Sequence, residues 1–131
     1  MVVRIASIVL RVSGALAVIL GILFWSGNAL NLLPIHMLLG LLVVLSLWIV
    51  GIGQAFSRGG NWPLAIGALL LGLLVIVVGM TQSSLMVGTF HWVIQVVHLL
   101  LGILAVGIGQ IAAARWRNRS AIRQEQPSRA A

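Results

Sequence analysis

Four long apolar runs dominate the sequence and constrain its fold more than any other feature. None of them contains an acidic residue or a lysine. Because about twenty apolar residues in a helix cross the hydrocarbon core of a bilayer, each run predicts a membrane-spanning helix. The predicted spans are residues 5–25, 34–56, 62–80 and 90–114.

The composition supports the same interpretation. Of the 131 residues, 61% are hydrophobic and only 7% are charged, with a mean hydropathy of +1.18. A soluble domain has about a quarter of its residues charged, so we expect one membrane domain over residues 1–115. The chain contains no cysteine, which excludes disulfides, thiolate zinc sites, iron–sulfur clusters and covalently attached haem.

Polar turn residues separate the apolar runs, and Pro34 and Pro63 stand where the second and third helices should begin. The predicted fold is therefore all-α: an integral membrane, up-down four-helix bundle.

The charged residues predict the orientation of the bundle. The net charge is +7, from eight arginines and one acidic residue, Glu125. Arginines occur at the N-terminus (Arg4 and Arg11), in the link between spans two and three, and in residues 115–131, while the other two links have none. The positive-inside rule then predicts that both termini are cytoplasmic. We expect residues 116–131 to form a basic, disordered tail that contacts lipid headgroups and not nucleic acid.

The sequence also repeats internally. Spans two and four both end in Gly-Ile-Gly-Gln, at residues 51–54 and 107–110. Spans one and three carry small residues at heptad spacing, which allows close helix packing in lipid. A duplicated helical hairpin, with spans two and four parallel, is the predicted origin of the bundle.

Three histidines form the candidate site. His36 lies near the start of span two, and His91 and His98 lie in the outer half of span four. Helical phase places Gly40 on the face of His36, and Gly102 on the face of the other two. Polar side chains within a membrane face the protein interior, so these two faces are expected to meet in the bundle core.

Histidines on two facing helices can supply both axial ligands of a haem iron, and a nearby glycine leaves room for the macrocycle. These histidine-glycine segments and the four-helix layout resemble the b-type cytochromes of membranes. The resemblance implies one non-covalent haem b. The partner of His36 stays open: the helix ends and links align it with His91, whereas the local His-x-x-x-Gly pattern aligns it with His98.

Two other interpretations of the histidines remain. They could hold a different centre, such as a pigment, copper or zinc, or they could be structural residues with no cofactor. The second would suit an accessory or assembly subunit of a larger membrane complex.

The favoured interpretation is membrane electron transfer. Two axial histidines fill both open positions of the iron, so an electron carrier is expected in place of an enzyme acting alone. The expected partners are the lipid bilayer, a quinone or larger redox complex, and further copies of the chain. The use of arginine without lysine is typical of GC-rich bacteria and predicts location in a bacterial inner membrane.

Overall fold

The computed structural model describes residues 1–125, with side chains described through residue 122. These residues form four α-helices and a short 3-10 turn at Leu30–Leu32. The helices are α1 (Val2–Trp25), α2 (Leu33–Ala55), α3 (Trp62–Thr81) and α4 (His91–Glu125). All four are long and apolar enough to cross a membrane. The prediction of an all-helical fold with four long apolar helices is thus confirmed.

Local sequence explains where the helices begin and end. After α1, Gly27 adopts a positive φ of 76°, and the amide of Asn28 donates to the carbonyl of Leu23 at 2.9 Å. This is a Schellman arrangement, which needs a residue without a Cβ at the left-handed position. At the start of α3, the side chain of Asn61 accepts a hydrogen bond from the amide of Leu64 at 3.1 Å, and Pro63 follows in the first turn.

Neighbouring helices in the chain are antiparallel. A Cβ at Gly53 of α2 would lie 2.6 Å from Val3, near the start of α1, and a Cβ at Gly21 would lie 3.7 Å from His36. Helix α4 also runs against α1, because Gly14 faces Val106. Helices α2 and α4 are therefore parallel to each other, as predicted.

The centre of the bundle is formed mainly by α2 and α4. These two helices contact each other and both neighbours, whereas α1 and α3 are the only pair of described helices that do not touch. Small and aliphatic side chains fill the interior, in one large cluster and a second one near the N-terminal end of α1. The large cluster consists of Leu10, Val43, Val44, Leu47, Ala68, Leu71, Val75 and Ala105.

The outer surface of the bundle is apolar. Isoleucine and leucine side chains on every helix keep around half of their surface exposed, for example Ile19 at 55% and Leu70 at 63%. A soluble protein rarely leaves such continuous apolar surface in water. The surface is of the kind that lipid chains cover.

Helix α4 differs from the prediction at its C-terminal end. We expected the helix to end near residue 114 and a disordered tail from residue 116, but residues 116–125 are helical. Alanine and arginine both favour helix, which carries the backbone past the apolar run. Trp116 packs against the cluster around Val3 and Ala6, and Arg119 donates to the Ser57 hydroxyl at 3.2 Å. Residues 126–131 of the predicted tail lie outside the described residues.

Candidate functional site

The imidazoles of His36 and His98 lie beside each other between α2 and α4. Their ring centroids are 6.3 Å apart and their planes are inclined by 58°. Both side chains are half-buried. Of the two alternatives left open by the sequence, this arrangement brings together the pair aligned by the local histidine-glycine pattern.

The third histidine, His91, has different surroundings. It is the first residue of α4, seven positions before His98 and thus about 10 Å from it along the helix axis. Its Nδ1 lies 3.3 Å from the carbonyl oxygen of Leu85, in the segment that precedes the helix. The structure therefore joins His91 to the α3–α4 link. Among the described residues, no three His, Cys, Asp or Glu side chains are grouped so that they could hold a metal ion together.

The paired imidazoles each have a buried nitrogen without a partner. The Nδ1 atoms of His36 and His98 are both inaccessible and make no hydrogen bond to any described residue. Buried polar atoms nearly always have a hydrogen-bond partner, so each exception calls for an explanation. The two nitrogens make the pair a candidate binding site, although Trp48 Nε1 is buried without a partner in the same way.

Glycines on the outer helices make room for both imidazoles. Gly21 of α1 packs against Cε1 of His36, and Gly79 of α3 packs against Cε1 of His98, where an added Cβ would lie only 2.9 Å away. The sequence predicts these glycines as helix-packing positions, but their relation to the histidines is visible only in the structure. Phe24 also contacts His36, edge to face, at a centroid distance of 5.3 Å.

Gly40 and Gly102 lie one turn along from the paired histidines, on the same helix faces. A Cβ built at either position would meet nothing within 4 Å. These glycines are not needed for the contact between α2 and α4, and they leave backbone accessible next to the histidine pair. A flat ligand could approach the helices at these points.

A second polar group occupies the opposite end of the core. Gln110 accepts a hydrogen bond from the Ser7 hydroxyl at 3.3 Å and donates to the Ser7 carbonyl at 3.1 Å. Gln54, at the matching position of the other Gly-Ile-Gly-Gln segment, is completely buried, and neither of its amide atoms has a partner among the described residues. The two segments are identical in sequence and differ in their contacts.

Comparison of the chain with family models, with curated proteins and with solved structures gave no match.

Proposed function

We propose that the chain is inserted in a membrane as a four-span bundle and carries electrons through one b-type haem held by His36 and His98. The observation that carries this proposal is the proximity of the two half-buried imidazoles between α2 and α4, each with a buried, unpartnered Nδ1 among the described residues.

The separation of the ring centroids equals that of two imidazoles bound to one metal from opposite sides. The Cε1 edges of both rings face glycines of α1 and α3, so binding would require each ring to turn a nitrogen toward the metal. A bond between a metal and an imidazole nitrogen is about 2.0–2.1 Å, and the ring centroid lies roughly 1.1 Å behind that nitrogen. Two imidazoles on opposite sides of one metal therefore have centroids about 6.3 Å apart, while neighbouring positions of a tetrahedral site bring them to about 5 Å. The observed separation is 6.3 Å.

The donor set also fits haem better than a closed zinc site. A structural zinc ion needs four protein ligands, whereas haem iron needs only two axial ones because the porphyrin supplies the rest. In this site, His36 and His98 would bind the iron, and Gly40 and Gly102 would admit the macrocycle. His91 is not one of the two proposed iron ligands, so it remains available to bind a haem propionate or a quinone headgroup.

When bound, haem supplies one reversible electron, and the protein sets where that electron can go. Two histidine ligands leave no open position on the iron, which favours electron transfer over oxygen chemistry. Phe24 and the glycines Gly21 and Gly79 hold the imidazoles in place. The proposed partner is a quinone or a larger redox complex in the same membrane.

The proposed orientation places both termini in the cytoplasm of a bacterial cell. Apart from Arg11, which lies in the middle of α1, the described arginines lie at the N-terminal end of α1, in the α2–α3 turn or in the C-terminal part of α4, which meet at one end of the bundle. The opposite end contains the α1–α2 and α3–α4 links, which have no arginine. This asymmetry is the basis of the positive-inside rule.

We also propose that the bundle arose from a duplicated hairpin. The pair Gly21 and His36 in the first hairpin corresponds to Gly79 and His98 in the second. The two glycines are separated by 58 positions in the sequence, and the two histidines by 62. Equivalent contacts between equivalent helices support a common origin.

A second candidate is a cofactor-free accessory or assembly subunit. Gly67 of α3 and Gly107 of α4 are exposed, and a Cβ at either would meet nothing within 4 Å. Small residues on a lipid-facing surface allow the helix of another protein to approach closely. Other glycines, such as Gly14 and Gly72, pack against neighbouring helices within the bundle.

The visible absorption spectrum of the detergent-purified protein separates the two candidates. A haem protein shows an intense Soret band that shifts on reduction with dithionite. Expression with added haem precursor excludes a shortage of haem as the cause of a negative result. A colourless preparation under these conditions would contradict the electron-transfer proposal and favour the accessory subunit.

A further inference from the structure

Arg11 lies deep within α1, although the sequence places it among the N-terminal orientation signals. The contacts of α1 with α2 extend from Val3, opposite Gly53, to Gly21, opposite His36. These 18 residues of helix cover about 27 Å, close to the thickness of a bilayer's hydrocarbon core. Arg11 is eight residues, or about 12 Å, from Val3, and is therefore near the middle of this stretch.

The side chain of Arg11 is exposed on the outside of the bundle. Its neighbours on the helix surface, Ile8 and Val12, are 52% and 55% exposed, so the surrounding surface is apolar. Arg4 is also exposed and, seven residues earlier, lies on nearly the same face of α1. The two arginines form a pair along one outer edge of α1.

Residues 1–122 offer this pair no carboxylate side chain. The sequence has no aspartate or glutamate between residues 1 and 122, and its one acidic residue is Glu125. A guanidinium in hydrocarbon is unfavourable unless it reaches the interface or finds a counter-charge. The counter-charge for Arg11 must therefore come from a molecule outside the bundle.

Helix geometry determines which direction the two side chains can take. Side chains lean toward the N-terminus of their helix, so Arg11 extends toward the membrane surface at which Arg4 lies. Guanidinium groups match phosphate oxygens in a bidentate geometry. Arg58, Arg115 and Arg117 add positive charge at this end of the bundle, which attracts anionic headgroups.

We propose that Arg4 and Arg11 bind the phosphate of an anionic phospholipid in the leaflet at the N-terminal end of α1. This inference rests on the proposed insertion in a membrane, but not on haem binding or on the direction of insertion. Arg4 holds the headgroup at the surface, and Arg11 reaches it from below. The adjacent acyl chain covers the apolar surface around Ile8 and Val12.

Native mass spectrometry of the full chain in nanodiscs tests the proposal. The nanodiscs contain equal amounts of phosphatidylglycerol and phosphatidylcholine, and the ratio of the two lipids retained on the released protein is measured. Arg11→Gln should lower the retained phosphatidylglycerol relative to phosphatidylcholine about fivefold more than Arg58→Gln does, because it removes a guanidinium hydrogen-bonded to the phosphate as well as one positive charge at this surface. Arg11→Lys, which keeps the charge, should show a smaller loss.

Arg58→Gln is the matched control, since it removes the same charge from the exposed α2–α3 turn. Equal lipid ratios for the Arg11→Gln and Arg58→Gln variants would overturn the proposal. Dissociation of an oligomer by Arg11→Gln, with the lipid ratio unchanged, would also overturn it and assign the pair to a second copy of the chain. Failure of the unmodified protein to enter nanodiscs would instead refute membrane insertion itself.

Discussion

Gly79 of α3 lies directly against the imidazole of His98, so that a Cβ at this glycine would come within 2.9 Å of the histidine Cε1. The corresponding contact of Gly21 with His36 is looser, at 3.7 Å. Both imidazoles are thus positioned by a backbone surface on an outer helix, as well as by α2 and α4. The positions of the two candidate ligands therefore depend on glycines of the preceding helices in the chain.

Gly79→Ala should therefore weaken haem binding, because the new methyl group displaces His98 from its partner. Gly21→Ala should have a smaller effect, since 3.7 Å is an ordinary contact distance. The measurement is the haem-to-protein ratio after purification. Gly67→Ala is the control, because its Cβ would meet no atom within 4 Å. Equal haem contents in the Gly79→Ala and Gly67→Ala proteins would show that the contact does not position the histidine.

Gln54 and Gln110 should respond in opposite directions to replacement by leucine. Gln54→Leu removes two buried polar atoms that have no partner among the described residues, so it should leave stability unchanged or raise it by about 1–3 kcal/mol. Gln110→Leu breaks two hydrogen bonds to Ser7 and should lower stability by about 0.5–1.5 kcal/mol. Equilibrium unfolding in mixed micelles gives both values. Similar losses in the two variants would mean that Gln54 is satisfied in the membrane.

Single cysteines test the proposed orientation, because the chain has no cysteine of its own. Asn28→Cys places a thiol in the α1–α2 link, and Asn118→Cys places one on the exposed C-terminal part of α4. In intact cells, a membrane-impermeant maleimide should label the thiol at position 28 but not the one at position 118. Permeabilised cells should show labelling at both. Labelling of position 118 alone in intact cells would reverse the orientation.

Much of the fold could be predicted from the sequence because lipid imposes a simple rule on spanning segments. The apolar runs located α1, α2 and α3 to within three residues at each end. The predicted end of α4 was wrong because the apolar run stops before the helix does. Alanine and arginine favour helix beyond that run. Only the packing of Trp116 against Val3 and Ala6 shows that the helix continues along the bundle.

The candidate site was predictable as a set of residues but not as a pair. Whether His36 lies near His91 or His98 depends on how far one hairpin is displaced along the bundle axis relative to the other. Packing contacts between helices, such as that of Gly14 with Val106, determine this displacement. The mid-span depth of Arg11 was missed for a similar reason. Sequence position alone does not show that α1 begins its contact with α2 at Val3.

The central claim is that His36 and His98, and not His91, hold one haem. The most direct measurement is the amount of haem bound per chain by the His98→Ala and His91→Ala proteins, purified in parallel with the unmodified protein. The account predicts that His98→Ala loses nearly all haem while His91→Ala keeps about one haem per chain, and His36→Ala should behave like His98→Ala. Full haem content in the His98→Ala protein would contradict the account.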